Sequence, residues 1–331
     1  MKLCIYGAGA IGGFLGARLA ALAQHEVAAI ARGATLQALQ AHGWRLQSPA
    51  GDVQVPARAT DDPATLGVQD IVFIAVKGPA LAAVARAIAP LLGPATVVVP
   101  AMNGVPWWFC HGLPPGPATG VPLQSVDPDG SIAAHLPLQH VVGCVVHAST
   151  STPEPGLVRH QMGDGLILGE PDGTVTDRVQ RLCALLQAAG FQATASARIQ
   201  ADVWYKLWGN LTTNPVSAIT GATVDRVMAD DLVREFCARA MQEAKDVGSR
   251  LGCPVDQTPQ QRHEISRRLG AFKTSMLQDV EAGRALELDS IVGAVRELGQ
   301  RVGVPTPSID ALFGLARLFG RVHGLYPESH P

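Results

Sequence analysis

Three polar residues stand four apart in the segment DVWYKLWGNLTTN, residues 202–214: Lys206, Asn210 and Asn214. Because residues four apart lie on one face of an α-helix, Lys206 and Asn210 should point the same way. Ammonium and amide groups both donate hydrogen bonds, so this stripe suits a small ligand that carries a carbonyl and a carboxylate. The alternative is a solvated helix face. Pro215 follows directly, and a residue before proline is disfavoured in the α region, so we expect the helix to kink or end at Asn214.

A second group of polar residues begins about 60 residues after Asn214. Ser275 opens the segment SMLQD, which we expect to close a helix over residues 258–280, and Glu287 and Asp289 should open the next helix after a break at Gly283. A hydroxyl at one helix end and carboxylates at another helix start can converge on a small polar ligand. Helix capping is the alternative, because acidic residues in a first turn are favoured by the helix dipole.

Near the start of the chain, a short apolar run over residues 2–6 leads into a glycine-rich motif, and a helical pattern and a second strand over residues 26–31 follow. This context of strand, GxGxxG and helix predicts a dinucleotide-binding turn, because glycines permit the tight turn and a close approach of the backbone to a pyrophosphate. The alternative is a glycine-rich turn that binds nothing. The predicted cofactor-binding residues are Gly7, Ala8, Gly9, Ala10, Ile11 and Gly12.

The residue after the second predicted strand favours NADP(H) over NAD. A site for NAD usually places Asp or Glu there, to bind the ribose 2′-hydroxyl, but this chain has Arg32 and no acid until Asp52. A guanidinium suits a 2′-phosphate, and a solvated Arg32 is the alternative. Lys77 and Asn103 follow later predicted strands, over residues 70–76 and 95–100. Ligands lie beyond the carboxyl ends of such strands, so both are candidates for the cofactor or the substrate, unless they only cap a helix or form a turn.

These patterns predict an α/β Rossmann-type domain over residues 1–197 and an all-α domain over residues 198–331. The chain has 331 residues, which suits two domains. The helices expected in the second domain cover residues 199–213, 216–221, 231–251, 258–280, 287–302 and 308–322.

Composition excludes several classes of protein. The net charge of −2 gives no basis for a nucleic-acid partner, and 5% aromatic residues argue against a stacking platform for single strands. No run has the length of a membrane span, and the six scattered cysteines match neither a metal site nor a disulfide framework, so we expect a cytoplasmic protein without a metal. Residues 2–23 share features with a signal peptide, which would not explain their glycines. The oligomeric state stays open, with a homodimer as one option.

Taken in order, the motifs resemble the ketopantoate reductase (2-dehydropantoate 2-reductase) family over essentially the whole chain. The resemblance rests on the N-terminal GAGAIGG, Arg32, Lys77, Asn103-Gly104, the Lys206–Asn210–Asn214 stripe before Pro215, and SMLQD with Glu287 twelve residues after its serine. It implies a Rossmann domain followed by an all-α domain, and NADPH-dependent reduction of 2-dehydropantoate to pantoate, a step of pantothenate and coenzyme A biosynthesis.

The resemblance also implies roles for single residues. Lys206 would be the general acid, and Glu287 would hold the substrate hydroxyl and border the cofactor. Lys77 and Asn103 would lie between cofactor and substrate. The remaining substrate-binding residues would be Asn210, Asn214 and Ser275.

Two features depart from the family pattern. Phe272 stands where the family often has Asn, and the segment after Gly104 is longer than expected and carries Trp107, Trp108 and Phe109. Two other functions therefore stay open. One is an NADP-dependent reductase or dehydrogenase of another small 2-oxo or hydroxy acid. The other is a non-catalytic NADP-binding regulatory protein on the same fold.

Overall fold

A computed structural model describes residues 1–328. They form two compact units, which we treat separately. The first unit consists of Met1–Met102 and Gly130–Ile199, and the second of Asn103–Asp129 and the described residues from Gln200 onward.

The first unit is built from two sheets and the helices that pack on them. Its elements, in chain order, are β1 (Lys2–Tyr6), α1 (Ala10–Ala21), β2 (Glu26–Ile30), α2 (Gly33–His42), β3 (Trp44–Gln47), β4 (Val53–Val55), β5 (Arg58–Thr60), β6 (Ile71–Ile74), α3 (Leu81–Ala87), β7 (Val97–Pro100), α4 (Ser131–His135), β8 (Gly143–Glu154), β9 (Leu157–Gly169), α5 (Asp177–Ala188) and β10 (Gln192–Ala195).

The sheet that carries the glycine-rich turn has the order β5-β2-β1-β6-β7, and all its strands are parallel. Its central strands read as continuous apolar runs, and Leu3 and Ile5 are fully buried, as a parallel sheet covered on both faces requires. The second sheet has the order β10-β9-β3-β4, with β8 antiparallel to β9. Helix α1 packs against strands of both sheets, and the Trp44 ring fills the space that Gly16 leaves open.

The regular secondary-structure elements of the second unit are all helical among its described residues, and Asn103–Asp129 consists mainly of turns. Its elements are α6 (Ile199–Thr220), α7 (Val224–Ala229), α8 (Asp231–Arg250), α9 (Pro259–Arg267), α10 (Ser275–Glu281), a π-helical turn (Asp289–Gly293), α11 (Ala294–Val302) and α12 (Pro307–Val322). The predicted fold class, a Rossmann-type α/β region followed by an all-α region, is confirmed.

Helix α6 corrects the expectation of separate helices over residues 199–213 and 216–221, because it does not end at Asn214 but continues through Pro215 to Thr220. Proline in a helix removes one hydrogen bond and costs about 3 kcal/mol. Tertiary packing outweighs that cost here: Asn214 and Ser217 are 4% and 0% exposed, and the Ser217 hydroxyl lies 2.8 Å from that of Thr274.

The expected helix over residues 258–280 is also wrong, since it consists of two helices, α9 and α10. Gly270 lies between them with a φ of +63°, a left-handed conformation that favours glycine and ends a helix. The Thr274 hydroxyl then caps α10 by accepting the backbone N–H of Leu277 at 3.1 Å. Ser275 is therefore the first residue of a helix, and not near the end of one.

Residues 103–129 belong to the second unit by their contacts, whereas the expected boundary at residues 197 and 198 leaves them in the first domain. The Glu297 carboxylate on α11 accepts the backbone N–H groups of Gln124 and Ser125 at 2.9 and 2.8 Å. Arg301, one turn further, donates to the Val121 carbonyl at 2.9 Å. Two charged residues of α11 thus hold this segment by its backbone, and composition gives no sign of such contacts.

Among residues 1–328, no helix combines the length and the apolarity that crossing a membrane requires.

Candidate functional site

The turn between β1 and α1 has a distinct geometric reason for each of its three glycines. Gly7 has a φ of +96°, and a Cβ there would lie 2.6 Å from Val76 Cγ1. A Cβ at Gly12 would lie 2.0 Å from the Gly7 carbonyl oxygen, so helix and turn touch directly. At Gly9 a Cβ would meet nothing within 4 Å, which leaves its backbone open to a ligand. The turn has the shape that a pyrophosphate site requires.

Helix α1 directs its N-terminus at this opening. Gly9 is the N-cap residue and contributes no side-chain cap, and the Gly13 N–H makes the bond to the Gly9 carbonyl at 2.7 Å. The N–H groups of a first helical turn have no partner within the helix, and the helix dipole adds partial positive charge there. Backbone donors are therefore available for the phosphates of a dinucleotide.

Arg32 lies exposed between β2 and α2, two residues after the last residue of the strand that neighbours β1. Burial raises the pKa of Tyr6 at the end of β1, and the positive charge of Arg32 opposes that rise, so the guanidinium acts on the strand end beside Gly7. The first turn of α2 holds no acidic residue. This junction offers a cation where an NAD site would offer a carboxylate.

Lys77 follows β6 and is half-buried. It is the N-cap residue of a short 3₁₀ turn, and its carbonyl accepts the Ala80 N–H at 2.9 Å. Val76, the residue before it, is the one that a side chain at Gly7 would strike. Lys77 therefore stands at the same sheet edge as the glycine-rich turn.

In the second unit, Lys206 and Asn103 come together although 103 residues separate them. The Lys206 Nζ donates a hydrogen bond of 2.8 Å to the Asn103 Oδ1, and both residues are half-buried. The amide oxygen holds the ammonium in one position without neutralising its charge. Such an ammonium can stabilise negative charge that develops on a ligand oxygen, and can donate a proton to it.

The turn that carries Asn103 packs against the π-helical turn that follows Glu287. Gly104 has a φ of +85°, and a Cβ on it would lie only 2.5 Å from the Ser290 Oγ. The Val105 N–H donates to the Ser290 carbonyl at 2.8 Å. This close approach and this hydrogen bond hold the turn that contains Asn103 against Ser290.

The π-helical turn has a different hydrogen-bond pattern around Ser290 from that of an α-helix. In an α-helix the Ser290 carbonyl would accept the Ala294 N–H, but here the Ala294 N–H donates to Asp289, one residue earlier. The Ser290 carbonyl accepts the Val105 N–H instead. No pattern in the sequence indicated this π-helical turn, whereas the Asn103-Gly104 pair is typical of a turn, and Gly104 lies in one.

Glu287 lies two residues before Asp289, the first residue of this turn, and is 5% exposed. Its carbonyl accepts the Ile291 N–H at 3.3 Å, which starts the helical segment. A carboxylate this buried is stable only with polar partners, so the surroundings of Glu287 must supply them.

Asn214 and Ser275 are also brought together: the Asn214 Nδ2 lies 3.5 Å from the Ser275 Oγ, at the long limit of a hydrogen bond. Asn210 is half-buried one turn earlier on α6, between Asn214 and Lys206. Helix α6 thus presents all three polar residues at helical spacing, and two of them contact candidate residues from other elements.

The apolar residues that depart from the family pattern lie in the core of the second unit. Trp107, Trp108 and Phe109 are 6%, 1% and 0% exposed, and the Phe109 ring packs on Trp204 at 5.9 Å between centroids. Phe272 packs against the apolar cluster around Val216 and Met228. These residues fill a core, and the described residues hold no group of His, Cys, Asp or Glu arranged for a metal ion.

Comparison with known proteins decides the family. The family models "Ketopantoate reductase PanE/ApbA" and "Ketopantoate reductase PanE/ApbA C terminal" match residues 3–107 and 198–319. A 2-dehydropantoate 2-reductase from Mesorhizobium japonicum is 43% identical, over 98% of this chain and 100% of its own. The chain belongs to the ketopantoate reductase family.

Solved structures agree with that membership. A protein from Ralstonia solanacearum MolK2, provisionally named a ketopantoate reductase, superposes with a TM-score of 0.92 at 55% identity, over 98% of this chain and 99% of its own. D-mandelate dehydrogenase in complex with NADH and anilino(oxo)acetate reaches a TM-score of 0.83 over 98% of this chain and 100% of its own. At 20% identity, that second likeness shows a shared fold alone.

Proposed function

We propose that this chain reduces 2-dehydropantoate to pantoate with NADPH as the hydride donor, a step of pantothenate and coenzyme A biosynthesis. The observation that carries the proposal is the hydrogen bond of 2.8 Å between Lys206 and Asn103, inside a chain that is 43% identical to a 2-dehydropantoate 2-reductase over nearly its full length. The chemistry of ketone reduction requires a positioned proton donor, and this pair provides one.

The cofactor proposal rests on the first unit. Gly7, Gly9 and Gly12 form a turn that admits a pyrophosphate, and the N-terminus of α1 supplies its hydrogen-bond donors. Arg32 would bind the 2′-phosphate that distinguishes NADP(H) from NAD, and Lys77 would approach the nicotinamide end from the same sheet edge. Bound there, NADPH supplies the hydride.

The second unit would bind the substrate and handle the proton. As the ketone is reduced, negative charge develops on its oxygen, and the Lys206 ammonium stabilises that charge and transfers a proton from Nζ to the oxygen. Asn103 holds Nζ in place. Glu287 accepts a hydrogen bond from the substrate hydroxyl, so a 2-oxo acid without that hydroxyl leaves a buried carboxylate unpaired and is disfavoured.

Three neutral side chains complete the proposed site, and none adds charge. Asn210, Asn214 and Ser275 would bind the carboxylate and carbonyl oxygens of the substrate. All residues in the proposal belong to one chain, so it needs no second copy. The six cysteines are free and buried, which suits the reducing conditions of the cytoplasm, where we place the protein.

The test follows NADPH oxidation by absorbance, with ketopantoate as substrate and pyruvate as the comparison. Lys206→Ala should lower kcat by about 10²- to 10⁴-fold, the range expected for loss of a general acid. Lys245→Ala is the matched control, because this lysine lies in the same unit and donates to the Gln257 carbonyl at 2.9 Å. Its kcat should stay within about twofold, since surface and peripheral substitutions are mild.

Two results would contradict the proposal. Equal rates with pyruvate and ketopantoate would refute the substrate assignment. Unchanged turnover in Lys206→Ala would refute the role of Lys206.

A further inference from the structure

The segment that follows α12, residues 323–328, contacts the chain on both sides of Glu287. The Leu286 N–H, one residue before Glu287, donates to the Leu325 carbonyl at 2.9 Å. The Tyr326 hydroxyl donates to the Asp289 Oδ1, two residues after Glu287, at 2.6 Å. A buried carboxylate is thus flanked by two hydrogen bonds to a single short segment.

The segment itself is fixed to α12. The Leu325 N–H donates to the Gly320 carbonyl at 2.7 Å, and the Arg321 Nε donates to the Pro327 carbonyl at 3.0 Å. A Cβ at Gly320 would lie 2.7 Å from the Tyr326 Cβ, so the tyrosine packs directly on the helix. The segment is therefore held against α12 by backbone, side-chain and packing contacts.

The Tyr326 hydroxyl keeps its proton. The side chain is 6% exposed, and burial together with the neighbouring Asp289 raises its pKa well above the ordinary value for tyrosine. Its hydroxyl acts as a donor to the carboxylate, and hydrogen bonds to charged acceptors are among the strong ones.

We infer that Tyr326, through Asp289, is a positioning residue for Glu287 and so helps to select a substrate that carries a hydroxyl. This inference rests on the proposed function, in which Glu287 accepts the hydroxyl of ketopantoate. Tyr326 touches no reacting atom. It holds Asp289, the first residue of the π-helical turn, and the Leu325–Leu286 hydrogen bond holds the residue before Glu287.

The experiment compares ketopantoate with trimethylpyruvate, which has the same carbon skeleton and no hydroxyl. Tyr326→Phe removes only the oxygen that contacts Asp289. We expect kcat/KM for ketopantoate to fall by at least about tenfold, because a displaced carboxylate cannot accept the hydroxyl well, and kcat/KM for trimethylpyruvate to change by less than about threefold. Preference for ketopantoate should thus decrease, as it should more strongly in Glu287→Gln.

Tyr205→Phe is the matched control, because it also removes one hydroxyl from the second unit, one that donates to Gln257 at 3.0 Å. It should leave the preference for ketopantoate intact. Asp289→Asn is the second variant, which keeps the side-chain volume while weakening the bond from Tyr326, and it should shift the preference in the same direction. Thermal unfolding of each variant shows that it is folded.

The outcomes separate the inference from the proposed function. If the wild type prefers ketopantoate and both Tyr326→Phe and Asp289→Asn keep that preference, the inference is overturned and the function stands. If both variants lose activity on the two substrates in parallel, Tyr326 has only a structural role and the inference is also overturned. If the wild type shows no preference, the assignment of ketopantoate fails and the inference fails with it.

Discussion

Gly104→Ala tests how the Lys206–Asn103 pair is held in place. The new Cβ would lie 2.5 Å from the Ser290 Oγ, whereas ordinary contact begins at 3.4 Å, so the turn or Ser290 must move by about 0.9 Å. The φ of +85° adds roughly 1–2 kcal/mol of strain for any residue with a side chain. Since Asn103 is the neighbouring residue, the displacement acts on the amide that orients the Lys206 ammonium.

The expected result is a fall in kcat of about 10- to 100-fold, because a misplacement of about 1 Å can cost a factor of about 10². Partial adjustment of Ser290 accounts for the lower limit. The assay is NADPH oxidation at saturating ketopantoate, with thermal unfolding measured in parallel. The Kd for NADPH should change much less than kcat, since the glycine-rich turn belongs to the other unit.

Gly303→Ala is the matched control. Gly303 is the left-handed C-cap residue of α11 with a φ of +70°, and a Cβ there would meet nothing within 4 Å. It should therefore suffer similar backbone strain, with a lower Tm, but keep its kcat. If Gly104→Ala also keeps kcat within about threefold, a loss under 1 kcal/mol, the contact with Ser290 does not position Asn103 and the reasoning is refuted.

Three other predictions concern the cofactor, the core and the segment at residues 103–129. Arg32→Ala should raise KM for NADPH by about 10- to 100-fold and leave KM for NADH nearly unchanged, because only NADPH carries the 2′-phosphate; equal effects on both cofactors in steady-state kinetics would contradict this. Trp108→Ala should lower the free energy of unfolding by about 3–5 kcal/mol in urea titrations, since the ring is 1% exposed, and a loss under about 1 kcal/mol would show that it is not core. Glu297→Ala should expose residues 103–129 to limited proteolysis, because the backbone N–H groups of Gln124 and Ser125 lose their acceptor; a cleavage pattern like that of the wild type would argue against this anchor.

Sequence determined the features that depend on local backbone geometry. Gly7 and Gly12 occupy positions where a side chain would collide with neighbouring atoms. A tight turn from strand to helix therefore requires glycine there, and the motif predicts the turn. The helical spacing of Lys206, Asn210 and Asn214 likewise depends only on helix geometry, and α6 has it. The location of Arg32 could be predicted in the same way, from the end of the second strand. All these features involve residues that are near in the chain.

Only the tertiary structure decided which distant residues meet. Asn103 meets Lys206 from a distant part of the chain, and its turn bonds through the Val105 N–H to the Ser290 carbonyl; no local pattern marks either contact. Helix α6 passes Pro215 because its second half is buried, so packing overrides the local preference of the backbone. Residues 103–129 join the second unit through the charged side chains of α11. Each of these outcomes depends on burial and hydrogen bonds between segments far apart in the chain. Such contacts contribute free energy only once the fold has brought those segments together.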